Sequence, residues 1–319
     1  MSHDLVTVGE AMLRLWVPPG ERLEDAPVYR VTVAGAEANV AMAAARAGLS
    51  VAWLSRLPAS PLGRRAAREI AGHGVDVSHA VWDPAGRMGT YFVELSVKPR
   101  PVSVIYDRAQ SAAAAMTPDD IAWDVVESAR TVHLSGITPA LSPDARATSA
   151  EVARRAIASG TSLIVDVNYR AQLWAPDEAA RVIGKLCEGA SVVIVTTEDA
   201  KDLFSLHGTA REVAAAFREK IDAATVIVTE GAAGAAWDSA EGGGAAPGHS
   251  ADALDRIGAG DAFAAGVVVG FLEGDIASGV NRGLAMAALK LGIFGDQLVV
   301  SPEEIDAVID DDPTREVRR

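Results

Sequence analysis

The sequence predicts a doubly wound α/β fold, a mostly parallel sheet flanked by helices, with a small β-sheet lid beside it. Three observations carry that expectation. Short β-branched runs recur along the chain, Ala-rich amphipathic segments of crossover length separate them, and two stretches break the alternation. Residues 5–8, 51–54, 132–135, 162–167, 192–196 and 225–229 are apolar on both faces, as strands buried in a parallel sheet are. Between them, 36–47, 62–73, 143–158, 178–188 and 209–223 have the length and spacing of crossover helices. The exceptions, 12–33 and 86–108, mix polar and β-branched residues and include the alternating run Thr90-Tyr91-Phe92-Val93-Glu94-Leu95. That pattern suits antiparallel strands exposed on one face, either as a lid over a site or as an ordinary edge sheet. Residues 239–251, with Gly242, Gly243 and Gly244 in a row, read as a flexible surface loop. The charged run 311–319 reads as a disordered tail, which leaves 1–310 as one domain.

A chain of 319 residues with 49% hydrophobic content can bury a large core. Its net charge of −14 repels nucleic acid and anionic membrane surfaces over most of the exterior, so a small anionic ligand needs a local positive site. The lone cysteine, Cys187, excludes an internal disulfide framework and a Cys-rich zinc site, and reads as a small buried hydrophobe in a reducing compartment. No export-signal pattern precedes the first strand, and the longest weakly polar stretch, 262–272, is too short to span a bilayer. The expectation is a cytoplasmic protein. The histidines show no paired metal spacing, and His133 reads as a satisfied internal residue.

The chemistry is concentrated in Asp255-Arg256-Ile257-Gly258-Ala259-Gly260-Asp261-Ala262-Phe263, which leads into the apolar helix 262–272. Small residues at Gly258, Ala259 and Gly260 let backbone N–H groups converge at a helix start, where orphan donors and the dipole favour an anion. Asp261, in the first turn, is placed to take a proton from an attacking hydroxyl while the amides of Ala259, Gly260 and Asp261 hold a phosphoryl group. The same residues also suit a plain cap and turn. A dinucleotide fingerprint fits worse, because Phe263 stands at its third glycine and the motif lies late in the chain. No Walker A motif is present.

With that motif and Ala34-Gly35-Ala36-Glu37-Ala38-Asn39-Val40-Ala41, the chain resembles the ribokinase-like, PfkB-type carbohydrate kinases over nearly its full length. Ala34 departs from the first of two glycines usual there. Within the family the resemblance is to 2-keto-3-deoxygluconate kinases, carried by Gly9-Glu10, Gly35 to Asn39, Thr90 to Glu94, Val104 to Arg108, His133 to Ser142 and Asp166-Val167-Asn168-Tyr169-Arg170. It implies ATP-dependent phosphorylation of a keto-deoxy sugar acid at its 6-hydroxyl, with Asp261 as base. Gly35, Ala36, Glu37, Asn39, Tyr91, Tyr106, Arg108, Ser135, Arg170 and Asp296 are then the sugar-facing residues. Arg108 and Arg170 suit the acid's carboxylate, and the two tyrosines offer ring faces and phenolic donors.

For the nucleotide, the resemblance implies Asn168, Arg170, Thr197, Thr229, Gly231 and Gly234 beside the anion turn of Gly258, Ala259 and Gly260. Thr229 stands where a lysine is frequent. The magnesium-linked Asn-x-x-Glu motif aligns with Thr196-Thr197-Glu198-Asp199, which makes Asp199 the metal-linked carboxylate. The family also suggests a monovalent cation such as K+ near the carboxy-terminal signature, and a homo-oligomer assembled through the lid. Fructose, ribose or a nucleoside as acceptor, and a non-catalytic sugar-binding homologue, are the alternatives left open.

Overall fold

The structure, a computed structural model, describes residues 2–96 and 99–310. Eight strands form the main sheet in the order β14-β13-β12-β11-β10-β9-β1-β4. These are β1 (Leu5–Val8), β4 (Val51–Leu54), β9 (Thr131–Ser135), β10 (Ser162–Asp166), β11 (Val192–Thr196), β12 (Thr225–Thr229), β13 (Gly234–Ser239) and β14 (Gly242–Pro247). From β4 to β12 the pairing is parallel, and β12–β13–β14 closes the edge antiparallel.

Period-two alternation within the strands makes the sheet two-sided. In β10, Ile164 enters one apolar cluster while Leu163 and Val165 enter the other. The first cluster is covered by α1 (Ala36–Arg46), α2 (Pro61–Ala71), α8 (Ala259–Glu273), α9 (Ile276–Leu291) and α10 (Pro302–Ile309). The second lies under α3 (Trp123–Ser128), α4 (Pro143–Ser159), α5 (Pro176–Cys187), α6 (Thr197–Phe204) and α7 (Ala210–Ile221). No described helix is long and apolar enough to cross a membrane.

The predicted lid is a separate four-stranded sheet in the order β3-β2-β7-β8, formed by β2 (Met12–Val17), β3 (Arg30–Ala34), β7 (Gly89–Glu94) and β8 (Ser103–Asp107). Each excursion is an antiparallel pair, but β2 and β7 join them in parallel, which the alternation alone could not reveal. The chain runs back through β4 of the main sheet between β2 and β7, the long crossover that parallel pairing requires. A two-stranded ribbon, β5 (Arg56–Pro58) with β6 (Val81–Asp83), completes the strands.

Two expectations need correction. Residues 239–251 are not a free loop, because Gly242–Pro247 is a strand paired along its length with β13. The Gly run fits because Trp237 lies across it: a Cβ at Gly244 would come within 2.4 Å of that indole. Helix α9 is absent from the sequence pattern because Gly279 and Gly283 dilute its propensity. They face Gly270 and Gly266 of α8, where added Cβ atoms would meet the neighbouring backbone at 2.2 and 2.4 Å. The glycines therefore set a close helix crossing. The tail 311–319 lies outside the described residues.

Candidate active site

Strand β1 runs to β4 on one side and borders β9 on the other, so the order reverses at β1/β9, the switch point where such sheets bind ligands beyond their carboxyl ends. A cavity of about 940 Å³ opens there, between the carboxyl ends of β1, β10, β11 and β12, the lid, and the start of α8. That volume is at the upper end for a small-molecule site and suits two ligands end to end.

The anion turn sits at its centre. Gly258 has φ +90°, and a Cβ there would fall 2.1 Å from the Asp296 carbonyl oxygen, so the turn needs glycine for both conformation and space. A Cβ at Gly260 would meet nothing within 4 Å, because that residue faces the open cavity. No side chain caps α8. The Ala259 amide makes a long 3.4 Å bond to the Arg256 carbonyl, which leaves the Gly260 and Asp261 amides as the orphan donors.

Asp261 is buried, and its Oδ2 accepts a hydrogen bond from Asn39 Nδ2 at 2.7 Å. Burial pushes its pKa up to about 6; the Asn39 bond and Arg170 pull it down, and Asp296 and Glu37 push it up. Asp166, at the end of β10, is raised to about 8 by burial first and then by the Asp261 and Asp199 charges, with Arg170 opposing. Asp199 is likewise raised by burial, against a hydrogen bond from Thr196. Three carboxylates therefore converge on one side of the cavity. Arg170 is exposed before them, its Nη1 bonded only to the Tyr169 carbonyl.

Asp166 has no assigned role in its sequence motif, yet it lines the cavity close enough to Asp261 and Asp199 for their charges to raise its pKa. Its signal was its place at a strand's carboxyl end. Because the folded chain holds its proton to about pH 8 and the unfolded chain releases it near 3.8, the buried carboxyl carries a stability cost that is absent below about pH 4, grows between about pH 4 and 8, and levels off above 8. Asp166→Asn is accordingly expected to raise the melting temperature of the ligand-free protein at pH 8, with little change at pH 4. Melting scans at the two pH values check it.

The lid end is built from paired charges. Gly35 is required because a Cβ there would lie 2.0 Å from the Glu10 carbonyl oxygen. Ala34 is the buried last residue of β3, so the departure from the usual glycine is met by packing. Glu10 lines the cavity; its Oε2 accepts from Arg108 Nε at 2.8 Å and from Nη2, and its Oε1 accepts from the Ser111 hydroxyl. Arg108 is thus not an unpaired cation, although its Nη1 makes none of these bonds. Tyr91 is buried, donates its hydroxyl to Asp296 Oδ2 at 2.6 Å and stacks on Tyr106 with centroids 5.5 Å apart. Asp296 also accepts from Arg14, so this carboxylate reaches the cavity wall already held by two donors.

Several expected residues take different places. Ser135 does not line the cavity; it is fully buried and donates to Glu37 Oε1 at 2.7 Å, as Thr138 does. Burial raises the Glu37 pKa against those bonds, so Ser135 acts by supporting Glu37. Ala36 and Glu37 do line the cavity. Thr197 does not: Thr196 fills that wall and caps α6 by accepting from the Asp199 amide at 2.9 Å. That cap engages the Thr196 hydroxyl with the backbone of α6. His133 is buried with neither ring nitrogen hydrogen-bonded to protein, and burial lowers its pKa to about 4, so it is an internal neutral histidine but not a satisfied one.

The nucleotide-end residues Asn168, Thr229, Gly231 and Gly234 all line the cavity. Asn168 holds φ +37°, and its amide donates to Asp166 Oδ1 at 3.2 Å, a local bond that eases the left-handed conformation. Beyond Thr229 the wall includes the small residues Ala232, Ala251, Ala287 and Ala288 together with Leu284 and Leu291.

The chain is similar to known proteins over nearly its whole length. The family model described as pfkB family carbohydrate kinase matches residues 2–303. The chain is 41% identical to a 2-dehydro-3-deoxygalactonokinase of Haloferax volcanii, covering 97% of each protein. It is 32% identical to a 2-dehydro-3-deoxygluconokinase of Thermoproteus tenax, over 96% of this chain and 94% of the relative. Among solved structures, the 2-dehydro-3-deoxygluconokinase of Thermotoga maritima superposes with a TM-score of 0.87 at 32% identity, covering 96% of this chain and 99% of that one.

Proposed function

The chain belongs to the pfkB family of carbohydrate kinases, and from that premise we propose that it transfers the γ-phosphoryl group of ATP to the 6-hydroxyl of 2-keto-3-deoxygluconate. The observation that carries the reading is Asp261: a buried carboxylate, bonded to Asn39, beside an uncapped helix start that opens on a cavity holding both a lid end and a nucleotide end.

Asp261 takes the proton of the sugar hydroxyl. The hydroxyl oxygen forms its bond to the γ-phosphorus as the bond to the departing ADP oxygen breaks, and the Gly260 and Asp261 amides with Arg170 receive the charge spread over the transferring group. Asp166 and Asp199, both raised chiefly by burial and Asp166 also by the Asp261 and Asp199 charges, suit a hard divalent cation and would hold Mg2+. Bound there, Mg2+ neutralises phosphate charge.

At the sugar end, Arg108 Nη1 is the cation for the substrate carboxylate, with Tyr106 as an apolar face 5.6 Å from the Arg108 guanidinium. Arg108→Ala is expected to raise the KM for the keto acid by about tenfold or more, the scale of one charge-assisted hydrogen bond, while the KM for a neutral sugar moves little. Equal losses on both would assign Arg108 to lid structure alone. The 41% identical galactonokinase favours a second reading with the galactonate-derived epimer as acceptor. A coupled ATP-consumption assay over both epimers, fructose, ribose and nucleosides tests the proposal, and turnover only on neutral sugars or nucleosides would overturn it. Exposed Ile105 on the edge strand β8 of the lid, with exposed Val102 just before it, supports pairing with a second copy there.

A further inference from the structure

Lys290, in the last turn of α9, is fully buried, an expensive place for an ammonium group unless it is satisfied. Its Nζ donates to the Asp255 carbonyl oxygen at 3.2 Å and to the Ile293 carbonyl oxygen at 3.0 Å. Both partners are main-chain carbonyls. Closed sites lined with carbonyl oxygens are also how proteins replace the hydration shell of an alkali cation.

The two carbonyls belong to the segments that shape the anion turn. Asp255 begins the run into Gly258, and Ile293 precedes Gly295-Asp296, whose backbone Gly258 touches. The Gly295 amide closes the same junction by donating to Asp255 Oδ2 at 3.1 Å. Arg14 holds the Asp255 carboxylate from the lid side, so this residue is fastened by its side chain and its carbonyl at once.

We propose that Lys290 is a tethered cation that holds the anion turn in its working shape, replacing the bound monovalent metal ion expected at this signature, so that phosphoryl transfer needs no added alkali cation. The inference rests on the phosphoryl-transfer reading above. Lys290 touches no reacting atom in this arrangement; it is a positioning residue acting through Asp255 and Gly258.

The test compares wild type, Lys290→Ala and Lys290→Met in tetramethylammonium, Na+, K+ and NH4+ chloride at equal ionic strength with Mg2+-ATP. Turnover and binding of a non-hydrolysable ATP analogue are read together. Wild-type turnover is expected to be the same in all four salts. Lys290→Ala should lose roughly tenfold or more in tetramethylammonium, below the loss of a direct anion-hole donor, and regain activity in K+ or NH4+, which fit the vacated space. Lys290→Met keeps the packing without the charge and should be impaired in every salt. Severalfold K+ stimulation of wild type, or wild-type turnover by the methionine variant in tetramethylammonium, would overturn the proposal. If the alanine variant does not fold, the wild-type and methionine arms still decide it. A wild-type enzyme that binds the analogue but phosphorylates no sugar overturns the earlier reading instead, and salt-independent analogue binding, weakened in both variants, would then carry this one.

Discussion

Replacing Asp261 by Asn is expected to reduce turnover by about 10²-fold to 10⁴-fold, the range general-base catalysis contributes, with the fold and ATP-analogue affinity unchanged. Asparagine fills the same volume and keeps an oxygen for the Asn39 amide, so the loss is of proton acceptance alone. Near-normal turnover would remove Asp261 from the mechanism. The pH profile gives a second reading of the same group. Burial holds its pKa near 6, above the ordinary carboxylate, and the base must be ionised to act. The kcat/KM of wild type should therefore rise through about pH 6 and level off above it. Asn39→Ala removes a donor that favours the charged form and should move this limb to higher pH; a limb that stays where it was would show that another group sets it.

The second large effect concerns stability. Arg14→Met is expected to destabilise the protein by about 3–5 kcal/mol, because it strands buried carboxylates without a partner. The Arg14 side chain is 0% exposed, with one Nη on Asp255 and the other on Asp296, and Tyr91 completes the Asp296 shell. Attraction between such groups is worth having only while both partners remain; loss of one leaves the desolvation cost uncompensated. Urea unfolding of Arg14→Met, and of Arg14→Met combined with Asp255→Asn and Asp296→Asn, measures this. The combined variant should recover much of the lost stability but not the activity, since the junction at Gly258 would no longer be held. A single-variant loss under about 1 kcal/mol, typical of an exposed pair, would mean that the network is solvated.

This cluster also shows where reading residues alone stopped. Arg14 lay in a stretch legible only as lid strand, and Lys290 in a helix that the pattern missed; neither carries a motif. Each matters because of partners far away in the chain, Arg14 meeting Asp255 and Asp296 across 241 and 282 positions. Glu10 and Asp166 carry no role legible in sequence, since the pairing of Glu10 with Arg108 and the closeness of Asp166 to Asp261 arise only when strand ends meet. Arg108 was expected as a cation for substrate, and the fold shows that Glu10 shares it.

Legible in the residues alone were the alternation of strands and crossover helices, a second small sheet, and the glycine turn that leads into Asp261. All three are local: they depend on side-chain period, on glycine at a φ of +90°, and on residues that sit within one helical turn of each other. Tertiary structure decided the rest: the parallel joint between the two lid excursions, the strand hidden in the Gly242–Pro247 run, and which charges are already neutralised. Those outcomes depend on desolvation and on pairs distant in sequence, so the Asp261 carboxyl, whose place in the sequence also suits a plain helix cap, has its pKa raised to about 6 only where burial, Asn39, Arg170 and the other acids meet around it.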